Sequence, residues 1–126
     1  MKKFIMTAIA IFAFTHLMNA QKIDIKKDIV SIDGVACLKI GGDSNNVSIS
    51  TLEGEEIVFL KFARKYGDLY NKITFLEQKV TFTSQSYIFT KKLLIKKLLE
   101  DGTLKDCKLD SEKVEKFALK YDEKVE

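Results

Sequence analysis

The 126-residue sequence holds no proline, no tryptophan, one histidine and one arginine. The histidine, His16, falls among the first twenty residues, which read as a leader. The rest of the chain has none. That excludes a Ser-His-Asp or Cys-His catalytic set and a His-ligated zinc, and it removes the commonest general base. Arg64 is the sole arginine, and arginine is the residue best suited to bidentate phosphate and base contacts. Of the 21 Lys and Arg residues, Lys2 and Lys3 lie in the leader, which leaves 19 basic against 18 acidic residues and a net charge of +1. A nearly neutral chain makes no electrostatic case for nucleic acid. There is also no long apolar run. Phe4 to Phe14 is apolar for eleven residues, where a spanning helix needs about 20. Internal repeats, low-complexity tracts and linkers are absent as well.

Residues 1–20 follow the plan of a secretory signal peptide: Met1-Lys2-Lys3, then the apolar run, then THLMNA ending in the small residue Ala20. Met18 is larger than the residue usual two positions before a cleavage point. No cysteine stands near that point, so a bacterial lipid anchor is not expected. The expectation is cleavage before Gln21 and a secreted or periplasmic domain over residues 21–126, long enough to bury one core.

Up to about Ser84 apolar residues often alternate, the signature of strands. Ile23 and Ile25 make a short first strand. In IVSI-DG-VACLKI, Asp33-Gly34 is the favoured pair for a two-residue type I′ turn. That turn would pair Ile32 with Val35 and Val30 with Cys37, and set Asp28 opposite Lys39. GGDSNN is a loop, VSISTL a strand and EGE a turn. EIVFLKFAR carries apolar residues on both faces and predicts a central strand covered on both sides. KYGD breaks it. YNKITFL and KVTFTS form a last hairpin, whose Glu77-Gln78 chemistry points to a turn longer than two residues.

After Ser84 the period becomes helical. In KKLLIKKLLEDG, Leu94, Ile95, Leu98 and Leu99 share one apolar arc, with Lys92, Lys96 and Lys97 outside it. Thr90 or Ser86 can cap the start and Gly102 the end. A second helix opens at Asp110 or Ser111, with Val114, Phe117, Ala118 and Tyr121 as its stripe. DEKVE is expected to fray. The fold class is α+β: an antiparallel meander of five to six strands followed by two C-terminal helices packed on one face.

The lysine-rich helix has two readings. It can lie on a membrane or in a partner's groove, or cover a core. Four buried aliphatic side chains at about 1.5–3 kcal/mol each outweigh what exposed lysines offer in salt, so a core helix is favoured. Lys92, Lys96 and Lys97 remain the candidate surface-binding residues for an anionic envelope. An EF-hand-like loop from Asp43 would have Val47 fifth and Gly54 twelfth, and both fail the ligand pattern. Asn46-Val47-Ser48 is formally a glycosylation sequon. Asp33, Glu53, Glu55 and Glu56 are the carboxylates nearest turns and read as solvent positions. No catalytic residue, metal or cofactor is expected.

Two cysteines in an exported chain permit one disulfide, Cys37 to Cys107. Against it, Cys37 sits mid-strand and Cys107 in a polar link between helices, and nothing in the sequence brings that link to the first hairpin. The expectation is therefore two free thiols.

MKK…NAQ at the start, lysine in place of arginine, and DGTLKDCKLDSEKVEKFALKY near the end resemble the small secreted proteins of unknown function found in Bacteroidota. The resemblance implies an exported single domain and carries no activity. The functional expectation is a non-catalytic domain that binds or supports an envelope or extracellular component. Association with an anionic membrane or glycan surface is second, and a carboxylate-based hydrolase third.

Overall fold

The computed structural model describes residues 21–126. The expected leader, with His16, lies outside the described residues. Seven strands run in sequence order and pair antiparallel throughout: β1 (Ile23–Lys26), β2 (Ile29–Ile32), β3 (Val35–Gly42), β4 (Asn46–Thr51), β5 (Glu56–Lys65), β6 (Asp68–Phe75) and β7 (Val80–Ser84). Helix α1 (Lys91–Glu100) follows, then the two-residue strands β8 (Leu104–Lys105) and β9 (Lys108–Leu109), then helix α2 (Ser111–Tyr121). The α+β class and the antiparallel meander hold. The strand count of five to six is corrected to seven in the main sheet. The first two, IDIK and IVSI, are joined by a two-residue turn in which Lys27 and Asp28 take φ of 50° and 66°. Asp28 is thus a turn residue, and Ile29 stands opposite Lys39 in its place.

Two-residue turns with both positions at positive φ recur at Asp33-Gly34, Tyr66-Gly67 and Asp106-Cys107. Each matches the right-handed twist of the strands it joins. The turn at Asp33-Gly34 pairs Ile32 with Val35 as expected. The next expected pair, Val30 with Cys37, is displaced. Val30 faces Leu38 and Ser31 faces Ala36, so Cys37 is the extra residue of a β-bulge. The bulge lets Cys37 and Leu38, adjacent in sequence, both be buried, at 3% and 1% exposure.

That bulge corrects the expectation of free thiols. The β8–β9 hairpin carries Cys107 at its tip, and Cys37 and Cys107 are joined by a disulfide with a Cα–Cα distance of 5.4 Å. Two-residue strands are too short to show a period, so this hairpin was invisible in the polar link between the helices.

Val30, Leu38, Ile40, Val47, Ile49, Val58, Leu60, Ile73, Phe75 and Phe82 are paired or alternate along the strands so as to share one face, and all are buried. Leu94, Ile95 and Leu98 of α1 and Val114, Phe117 and Ala118 of α2 belong to the same hydrophobic cluster. Phe117 meets Phe75 and Phe82 edge-on at 6.2 and 5.8 Å. The expectation that β5 is covered on both sides is corrected. A second bulge at Ile57 turns that side chain toward the core, while Phe59 stays half-exposed opposite Ser48 and Thr74.

Helix α1 begins where the Thr90 hydroxyl accepts the Leu93 N–H at 3.1 Å. The alternative cap, Ser86, instead gives its hydroxyl to Glu123. Gly102, at φ 73°, closes the helix with its N–H on the Leu99 carbonyl at 3.1 Å. Asp110 caps α2 by accepting from Glu112 and Lys113 N–H groups at 3.0 and 3.3 Å.

The expected fraying of DEKVE is also corrected. Glu123 N–H donates to the Thr83 carbonyl at 2.7 Å, and Val125 N–H to the Thr83 hydroxyl at 2.7 Å. Asp122 accepts the Thr83 N–H at 3.2 Å. The tail satisfies the outer edge of β7, and Val125 is 9% exposed.

Candidate binding site

The surface candidates read from the sequence separate into different places. Lys92 and Lys96 are exposed on α1, whereas Lys97 is half-buried. Its Nζ lies 3.3 Å from Glu100 and 6.0 Å from the Tyr87 ring centre. The Glu100 carboxylate, by hydrogen bond and by charge, raises the Lys97 pKa above the usual lysine value. Leu94, Ile95 and Leu98, which a membrane would have to receive, are at most 2% exposed. The helix therefore presents lysines without its buried leucines.

Asp33, Glu53, Glu55 and Glu56 are all exposed. The Asp33 carboxylate accepts the Lys22 N–H at 2.9 Å, and Glu56 accepts the Ser48 hydroxyl. Asp43 accepts the N–H groups of Asn45 and Asn46, each at 2.9 Å, and those bonds hold its pKa below the ordinary carboxylate value. The loop is thus closed on itself by its own acid.

Sequence reading missed the cleft that the fold builds at the end of β5 and β6. Lys65, Tyr66 and Asp68 line one side, from the β5–β6 hairpin. Gln85 and Ser86 follow β7, and Glu123, Lys124 and Val125 come from the tail. The cleft is wide open and has a volume of about 620 Å³. Tyr66 sits at its rim with φ 52° and is 95% exposed. Gly67 completes the turn at φ 86°, so the hairpin tip holds the tyrosine out from the sheet. The Lys65 ammonium lies 5.8 Å from the Tyr66 ring centre and also donates to the Val125 carbonyl. The weak sequence signal was the Tyr-Gly pair in KYGD, a type I′ turn with an aromatic in place of the usual Asn or Asp.

Two acids at this end, Glu123 and Glu126, are engaged. Glu123 accepts the Ser86 hydroxyl and the N–H groups of Gln85 and Ser86, the last at 2.8 Å. These bonds, led by the Ser86 hydroxyl, keep its pKa below the usual carboxylate range. Next to the cleft, Glu126 accepts the Tyr70 hydroxyl at 2.7 Å and pairs with Lys72 at 3.0 Å. Tyr70 and then Lys72 lower the Glu126 pKa, and the same hydrogen bond raises that of Tyr70. Glu126 also offsets a like-charge pair, since Lys61 and Lys72 stand directly opposite across β5 and β6.

The cleft therefore offers an exposed aromatic, cationic and amide groups, and backbone held in place by carboxylates. That inventory can stack on and hydrogen-bond a partner. Among the described residues, no cluster of three or more His, Cys, Asp or Glu could hold a metal ion, and no helix is long and apolar enough to cross a membrane. Compared with protein-family models, with curated proteins and with solved structures, the chain has no match.

Proposed function

We propose that the protein is an exported, non-catalytic binding domain, of the kind found among small secreted Bacteroidota proteins, that engages an extracellular or envelope protein through the Tyr66 cleft. The carrying observation is Tyr66 itself, 95% exposed on a two-residue turn beside the cleft. The turn fixes the direction of the Tyr66 Cα–Cβ bond, and a tyrosine has only two side-chain torsions to order on binding, which suits an interface anchor. The Cys37–Cys107 disulfide fits an oxidising extracellular or periplasmic compartment. The clustering of α1 and α2 side chains with one face of the sheet supports two helices packed on that face. Association with an anionic membrane or glycan through Lys92, Lys96 and Lys97 has less support, because the leucines of that helix are buried and Lys97 is tied to Glu100.

A photo-crosslinking phenylalanine analogue placed at Tyr66 tests the reading in producing cells. A discrete protein adduct should form from position 66 and not from the exposed Lys116 of α2. Equal adducts at both positions, or none at 66, would remove the cleft from consideration.

A further inference from the structure

The two edges of the main sheet are finished differently. On β7 the outer edge is taken up by the tail, through Thr83, Asp122, Glu123 and Val125. On the other side β1 pairs only with β2 among the described residues. The phase of its free groups follows from the pairing. Lys26 and Ile29 flank a two-residue turn, so they exchange hydrogen bonds. The Asp33 N–H on the Lys22 carbonyl at 2.8 Å falls in the same alternation. Residues 22, 24 and 26 thus point their backbone groups at β2, and Ile23 and Ile25 point theirs outward. Helix α1 approaches β1, but among the described residues these outward groups have no backbone hydrogen-bond partner, and such a row is a template for another strand.

We infer that β1 pairs antiparallel with β1 of a second copy of this chain, in the register that places Ile25 opposite Ile25 of the other copy. That register sets the outward N–H and C=O groups of the two Ile25 residues against each other, as an antiparallel hydrogen-bonded pair requires. It also places Asp24 opposite Lys26 of the other copy, twice by symmetry. Both side chains lie on the sheet face away from the core, where they are solvated and 3.7 Å apart within one chain. The alternative centred on Asp24 would put Asp24 against Asp24, a like-charge pair. One centred on Ile23 would leave Lys26 outside the charge pairing and run beyond the end of β1. On the other face Ile25 is half-buried opposite Val30, and a second Ile25 continues that apolar row. The strand is only four residues long, so the association is weak and concentration-dependent.

Sedimentation equilibrium of the protein from Gln21 onward, between micromolar and millimolar concentration, reads the outcome. The weight-average mass should climb from one chain toward two, and hydrogen exchange at the Ile25 amide should slow in step. Asp24→Lys and Lys26→Asp, each alone, should lower the association constant about tenfold, since two cross-strand pairs turn from attractive to repulsive. The double variant should recover it, with thermal melting confirming that all four proteins fold. A chain that stays monomeric throughout overturns the proposal and leaves the edge to a different protein. Lys26→Asp without effect overturns the register. A double variant as weak as the singles overturns the charge pairing.

Discussion

Removing the Cys37–Cys107 disulfide should destabilise the domain strongly. Cys37 and Cys107 are 70 residues apart in sequence, so the bridge closes most of the domain. In the chain-entropy treatment a loop of that length restricts the unfolded chain by about 4 kcal/mol. The folded state loses packing as well, because Cys37 is 3% exposed within the hydrophobic cluster and Cys107 packs against it, so this figure is a lower one. Both sulfurs can be replaced by hydrogen in Cys37→Ala/Cys107→Ala without touching the bulge, because that depends on backbone pairing of Val30 with Leu38 and Ser31 with Ala36. A domain of about 106 residues gains roughly 0.2 kcal/mol/K of entropy at its melting temperature, so a loss of 4 kcal/mol lowers Tm by about 15–20 °C. Guanidinium titrations of the oxidised protein and the double variant give the free-energy difference directly. The m-value should rise in the variant, whose unfolded chain is free to expand. Thiol titration of the oxidised protein, without reductant, should find no reactive group when native or denatured. Two reactive thiols on denaturation, or a double variant with an unchanged midpoint, would refute the reasoning.

Leu98→Ala should destabilise by about 2–5 kcal/mol in denaturant titration, because Leu98 is 2% exposed in the core, and should leave vesicle binding unaltered. Tail docking should weaken in acid. The Glu123 and Glu126 pKa values are depressed in the folded state, so their contribution is present above the unfolded carboxylate value and is lost as pH falls through the folded values. The protection factors of the Glu123 and Val125 amides, each observed rate being divided into the intrinsic rate at that pH, should fall as the solution is acidified, and Glu123→Gln should flatten the response; pH-independent protection in the parent protein would contradict this. Intact-mass measurement of the secreted or periplasmic form should begin at Gln21, whereas full-length protein recovered from the cytoplasm would sink the export reading.

How far the sequence could be read depended on the range of the interaction involved. Asp33-Gly34 was legible because a type I′ turn is decided within four residues, and the pairing of Ile32 with Val35 followed from it. The caps were legible to within a choice of two, Thr90 or Ser86 and Asp110 or Ser111, since each true cap bonds N–H groups two or three residues on. One step further from the turn the reading failed. The bulge at Cys37 has no glycine or proline to announce it, and a shift of one residue was enough to move the cysteine from an expected cross-strand partner of Val30 to a disulfide partner of Cys107. The bridge could not be inferred without the bulge, nor without the β8–β9 hairpin, whose Asp106-Cys107 turn lacks the usual glycine. The cleft was the least legible feature, for a related reason. DEKVE is charged and locally unpatterned, so by composition it belongs to solvent. Its order comes from Thr83 and from Gln85 and Ser86, almost forty residues earlier in the chain. Those partners exist only once β7 is an edge, and β7 is an edge only because all seven strands add in sequence order. A site assembled from a hairpin tip, a sheet edge and a chain terminus is therefore a property of the finished topology, and no local motif marks it in advance.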